Sequence, residues 1–191
     1  MSVILDNLSA VLVSGAVLLL IISTQFSAQQ ATAEQTIAYM AKMSTMKMVD
    51  YLEDELLLVG DGTENAIVDL TTNSDGMTTN FSFWRQDDLG ADMLVTYTLT
   101  EQDSVEFNDG WVQMYQFNRF ENGVAAGGGS STLEHFEITM LTETGTQTGS
   151  TSAARLLRIR AINVYPYGDP SDSYLHRTFW GITLRPLNLE V

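Results

Sequence analysis

Between Asn7 and Ala33 the chain carries no Asp, Glu, Lys or Arg, and from Phe26 onward neither proline nor glycine interrupts it until Gly60. Leu8 to Ile22 is almost wholly apolar, marginally enough to span a bilayer, which takes about 20 such residues. The stretch that follows is rich in Ala, Met, Gln, Glu and Leu, all good helix formers. The pattern predicts one continuous helix over residues 2–59, roughly 85 Å long at 1.5 Å per residue and far longer than a membrane is thick. Its upper half must therefore pack on protein. Ile37, Ala41, Ser44, Met48, Leu52 and Leu56 recur at spacings of three and four and predict the packing face. Gly60-Asp61-Gly62 is the expected stop, as a C-terminal glycine usually is. Met40, Met43, Met46 and Met48 fall in this upper half. They read as core filling by an unbranched side chain, with an adaptable packing surface as the alternative.

Beyond Gly62 the periodicity switches to alternation. NFSFWR, MLVTYTL, WVQMYQF, HFEITML, ARLLRIRAINVYPY and YLHRTFWGITL are short runs rich in Thr, Val, Ile, Tyr, Phe and Trp, separated by turn-forming Gly, Asp and Asn; they predict an antiparallel sheet. Met93, Val95, Tyr97 and Leu99 share one face against Leu94, Thr96 and Thr98, and Phe136, Ile138 and Met140 oppose His135, Glu137 and Thr139. One-sided alternation means one wet face and one covered face, and the upper helix is the available cover. ENGVAAGGGSST and TETGTQTGSTSA read as flexible loops,. The expected class is α+β: a long N-terminal helix, membrane-spanning and then packed on the domain, followed by an antiparallel β-sheet domain. Residues 1–59 form the helix, with a transmembrane or filament-core half at about 3–26 and an amphipathic half at about 27–59, and residues 60–191 form the β-rich extracellular domain,.

Composition narrows the function classes. With 24 acidic against 9 basic residues the formal net charge is −15, so a nucleic acid backbone is repelled and is not expected as a partner. No cysteine is present, which removes disulfides, thiolate metal sites and thiol nucleophiles together. His135 and His176 belong to no metal-ligand spacing, and GGGS at Gly127 to Ser130 lacks the GK[ST] ending of a phosphate loop,. No enzyme is expected. The acidic turn around Asp87, Asp88 and Asp92 is the best candidate for calcium, which clustered carboxylate oxygens hold. Asp-Gly turns between strands also arise for backbone reasons alone. Otherwise no cofactor is expected.

A cleaved signal peptide, ending near Ser27-Ala28, is the second reading of the apolar run, because no positively charged segment precedes it,. Asp6, at its start, is costly in lipid unless paired, and an intramembrane ionisable residue is a functional hypothesis by default. The plain alternative places it in the headgroup layer, favouring the helix N-terminus by its charge.

A long, first membrane-embedded and then sheet-packed helix, with SVILDNLSAVLVSGAVLLL at its start, resembles the type IV pilin-like superfamily of minor pilins and type II secretion pseudopilins, without the usual leader peptide. FSFWRQDDLGADMLVTYTLTEQDSVEFNDGWVQMYQFNRFENG and HRTFWGITLRPLNLEV are similar to strand regions of larger minor pilins. The resemblance implies a subunit of a pilus-like or pseudopilus-like filament, held in the membrane before assembly. Its partners are copies of itself or related subunits. It places Asp6 where the family has a glutamate that neutralises a neighbouring subunit's N-terminal amine, here that of Ser2. Ser14 and Gly15, with neighbouring small residues, permit close helix approach. The alternative is a single-pass anchored β-domain acting as a binding or structural module of an envelope complex. Either reading puts the β-domain outside the cytoplasm, on a cell-surface filament or in the periplasm. The family's kinking proline is absent, which predicts an unkinked helix.

Overall fold

The expected helix runs without a break from Ser2 to Leu57 (α1) in the computed structural model. The structure describes residues 2–62, 66–107, 110–167 and 174–189, of which 2–6, 41, 130, 131, 166, 167 and 174–176 are described by backbone alone. The chain divides into two compact units, Met1–Tyr39 and Met40–Val191.

In the first unit every residue from Asn7 to Ala33 is exposed. Below Phe26 the surface is that of Leu8, Val11, Leu12, Val13, Leu18, Leu19 and Leu20. Above it the surface is polar but nearly uncharged, and its hydroxyls are turned inward. Ser27, Thr32 and Thr36 above Phe26, and Thr24 just below it, each donate to the carbonyl four residues back, at 2.8–3.1 Å. Such back-bonding satisfies a hydroxyl without a solvent partner.

In the second unit the last turns of α1 cover a seven-stranded antiparallel sheet whose strands neighbour one another in chain order. They are β1 (Ile67–Thr72), β2 (Thr78–Gln86), β3 (Asp92–Phe107), β4 (Gly110–Glu121), β5 (Val124–Leu141), β6 (Leu156–Tyr167) and β7 (Tyr174–Leu184). The architecture is the expected α+β layout, and the two faces sort as the alternation predicts. Val95 and Tyr97 of β3, and Phe136, Ile138 and Met140 of β5, are buried with Met48, Leu52, Leu56 and Val59 from the helix and its end. Phe81, Phe83, Tyr97, Phe117 and Phe136 form an aromatic belt across four strands, with successive ring centroids 4.9–5.6 Å apart. These are distances at which tilted rings attract beyond simple burial.

Four details differ from the sequence reading. The helical packing face holds only from Met48 onward. Ile37 and Ser44 are exposed, while Thr45 and Val49 are buried beside Met48, Leu52 and Leu56, because spacings of three as well as four keep the buried set on one face, whereas repeated steps of four drift around the helix. The helix ends at Leu57 rather than Val59, in a tighter turn closed by Leu58 and Val59 N–H groups on the carbonyls three residues back. Gly60 follows at φ +82°, where a Cβ would stand 2.7 Å from that of Ala66, so no other residue fits there. A strand not anticipated, β1, lies at the sheet edge; IVDLTT buries only Ile67 fully and so lacks a clear alternation. Finally, VAAGGGSST is not a loop but the first half of β5, entered through an Asn122-Gly123 turn with φ of 47° and 81°, the left-handed pair that a two-residue hairpin requires.

The sheet divides around Thr78. β2 pairs with β3 only as far as Asn80↔Thr98, and β4 pairs with β5 only as far as Tyr115↔Leu133. Beyond those points β3 and β4 continue as a two-stranded ribbon, pairing to Phe107↔Gly110. Where β4 has left β5, the Thr78 hydroxyl substitutes for the missing strand. It accepts from Ile138 N–H at 2.8 Å and donates to Ile138 O at 3.4 Å, so a buried backbone pair stays satisfied.

Candidate functional site

Two features stand out once the fold is assembled: an apolar helical surface that the chain itself leaves uncovered, and a buried ionic cluster that fixes the helix to the sheet.

The first contains the residues that the sequence reading proposes for assembly. Ser2 and Asp6 lie in the opening turns of α1, and their side chains fall outside the described residues. Ser14 and Gly15 are exposed on the same helix, and a Cβ added to Gly15 would meet nothing within 4 Å. A glycine in a helix interior costs roughly 1 kcal/mol relative to alanine. Among the described residues nothing uses the space that this glycine leaves. α1 is long and apolar enough to cross a membrane.

The second feature was not anticipated. Glu55 sits between Leu52 and Leu56 on the buried helix face and is only 4 % exposed. Its carboxylate accepts four hydrogen bonds. Oε1 takes Arg119 Nη2 at 2.5 Å and Arg85 Nε at 3.1 Å, and Oε2 takes Arg119 Nε at 2.8 Å and the Tyr97 hydroxyl. This bidentate Arg119 fork with two further donors fills the acceptor capacity of a carboxylate. Arg119 is 2 % exposed and reaches Glu121 as well, at 2.5 Å. Two carboxylates and two guanidinium groups therefore balance, with Glu55 and Arg119 buried and Glu121 at the solvent edge. The Arg119 guanidinium also lies over the Tyr51 ring, 4.9 Å from its centroid, a cation–π contact. Tyr51 owes its seat to Gly128, at φ +99°, where a Cβ would stand 2.9 Å from the ring. Within the glycine run, Gly128 thus makes room for an aromatic side chain.

Burial, and then the negative charge of Glu55, push the Tyr97 hydroxyl well above its ordinary value. Burial and Glu55 also raise Tyr51. Burial alone would lower Arg119, but its hydrogen bonds to Glu55 and Glu121 outweigh that and raise it. For Tyr97 the folded value exceeds the unfolded one of about 10, so the unfolded chain loses its proton first. The stabilisation is complete below pH ~10 and is lost as pH climbs toward the folded value. The tyrosinate absorbance that wild type shows in excess of Tyr97→Phe should therefore rise only as sheet circular dichroism is lost in alkali. If that difference signal appears well before the sheet is lost, Tyr97 is not sealed as described.

The three residues expected as calcium ligands lie in or beside the β2–β3 turn. Asp87 Oδ1 accepts from Leu89 N–H at 2.9 Å and Ala91 N–H at 2.8 Å, building the β2–β3 turn as aspartate does at such positions. Asp88 and Asp92 are exposed. Among the described residues no group of three or more His, Cys, Asp or Glu is placed to hold a metal ion. His135 Nε2 stands 3.9 Å from Glu137 on the open sheet face, and the His176 side chain falls outside the described residues.

The chain matches no protein-family model, no curated protein and no solved structure.

Proposed function

We propose that this chain is a structural subunit of a pilus-like or pseudopilus-like filament, anchored by α1 in a membrane before assembly and joined through α1 to other copies afterwards, with the β-domain outside the cytoplasm. The observation that carries the reading is the uncovered helix. From Asn7 to Ala33 all of α1 is exposed, although this is the most apolar part of the chain. An apolar surface of that extent marks an interaction site, and lipid and neighbouring helices are the two environments that suit it. Gly15 supports the reading too, since small residues let helix backbones approach closely in apolar surroundings and, among the described residues, no group occupies its open side. The resemblance to pilin-like chains gives Asp6 its role of setting register against the Ser2 amine of a neighbour.

The test is negative-stain microscopy of material sheared from cells producing the chain, with mass spectrometry of any filament. Wild type should appear in filaments with its N-terminus at Ser2. Gly15→Leu should remain folded and membrane-bound, with helix propensity improved by roughly 0.8 kcal/mol, yet fail to polymerise; Asp6→Ala should do the same. Filaments formed normally by both variants would exclude helix-to-helix assembly. A chain found only in detergent-extracted membrane, with no polymer, would make it an anchored module of an envelope complex.

A further inference from the structure

The methionines of the upper helix do not act together. Met48 is in the core, whereas Met40, Met43 and Met46 are 65 %, 37 % and 48 % exposed. Lys42 and Lys47, the only lysines in the chain, are exposed on the same stretch. Neither forms an ion pair among the described residues. From Gln35 to Val49 there is no acidic residue; Asp50 marks the limit. Met43 and Lys47, and likewise Lys42 and Met46, are four apart and so adjacent on the helix surface. The result is a small cationic face with a flexible, polarizable centre, bordered by the exposed Asp50, three residues from Lys47 and four from Met46,.

Elsewhere the chain carries the complement. From Gln86 to Asn118 there is no lysine or arginine. The β3–β4 ribbon that extends beyond its neighbouring strands exposes Glu101, Asp103 and Glu106. Trp111 is 68 % exposed and stands directly opposite Glu106, so indole and carboxylate share one face. A large aromatic flanked by acids matches a methionine surface flanked by lysines, in charge and in sulfur–aromatic chemistry.

We propose that the β3–β4 ribbon of one copy docks on the Met43–Lys47 face of α1 in a second copy. The choice of a second copy as occupant rests on the self-assembly reading, but the residues are different from those of the apolar helix. The two patches lie on different elements, so a one-way contact leaves a free helix face on one copy and a free ribbon on the other, to which further copies can add.

The absence of cysteine makes the test direct. Full-length Ser104→Cys and Ser44→Cys chains, at exposed residues beside Trp111 on the ribbon and Met43 on the helix, one carrying a size tag, are purified separately in detergent micelles that cover the apolar helix, then mixed and oxidised. A tagged–untagged disulfide-linked pair is expected. Its yield should fall roughly tenfold or more when the Ser44→Cys chain also carries Lys42→Glu and Lys47→Glu, and should recover when the Ser104→Cys chain carries Glu101→Lys and Glu106→Lys. Leu89→Cys, at a residue 92 % exposed on the β2–β3 turn, replaces Ser104→Cys to give the background. A yield at background, or one indifferent to charge reversal, overturns the contact. Filaments that form without the cross-link would sink this contact alone, whereas the cross-link without filaments would sink helix-driven assembly and leave the contact standing.

Discussion

Replacing Glu55 with alanine lowers the unfolding free energy by about 3–5 kcal/mol, because Arg119 is left charged, buried and short of its principal partner. Arg119 is 2 % exposed, and Glu121 alone is a poor substitute, being itself 40 % exposed and therefore well screened. The loss is one of the largest that a single substitution produces. Urea titration of the full chain in detergent measures it, and Glu55→Gln should recover only a part, since an amide accepts from fewer donors and carries no charge. The double variant Glu55→Leu with Arg119→Met is the sharper measurement. If the pair acts as a unit, removing both should cost much less than the sum of the single losses, because no unpaired charge remains. Additive losses would show that the two side chains contribute separately.

Placing an arginine at Val13 is expected to act at the opposite end of the chain and on a different property. Val13 is 63 % exposed in the middle of the apolar run, and a central arginine opposes membrane insertion by about 2.5–3.5 kcal/mol, or roughly a hundredfold in partition. Flotation of the full chain with lipid vesicles should show that loss, while the urea midpoint of the sheet stays where it was, because Val13 belongs to no part of the buried core. Unchanged flotation would mean that lipid is not the environment of this surface.

The sequence made the long helix and most strands legible because their signals are local. Absence of Gly and Pro, and alternation such as that of MLVTYTL, need no knowledge of the rest of the chain. The glycine run was misread for the same reason: Gly128 is explained by the Tyr51 ring against it, and that neighbour is distant in sequence. Glu55 was hidden in Glu53-Asp54-Glu55, which reads as a solvated charge run. Only its place on the helix beside Leu52 and Leu56 distinguishes it from the other two. Its partners were still harder to find. Phe117, Arg119 and Glu121 alternate onto one face of β4 as any strand does, but nothing local tells that a helix carboxylate awaits them.

The sequential strand order also has a consequence for how the chain reaches its native state. Each strand pairs with the one before it, so most of the sheet can form by successive short-range hairpin closures, the arrangement that favours fast folding. The ionic cluster cannot join in early: Glu55 meets Arg119 across 64 residues of sequence. The closing contacts are later again, since Leu187 N–H reaches Leu57 O and Asn188 donates to Asp61 across 127 residues. During synthesis from the N-terminus, the helix is made first but acquires its register only when β4 has emerged, and its end is sealed only after β7. Until β4 is in place Glu55 lacks its Arg119 partner and remains a hydrated carboxylate, so its desolvation follows β4 and precedes the sealing of the helix end by Leu187 and Asn188.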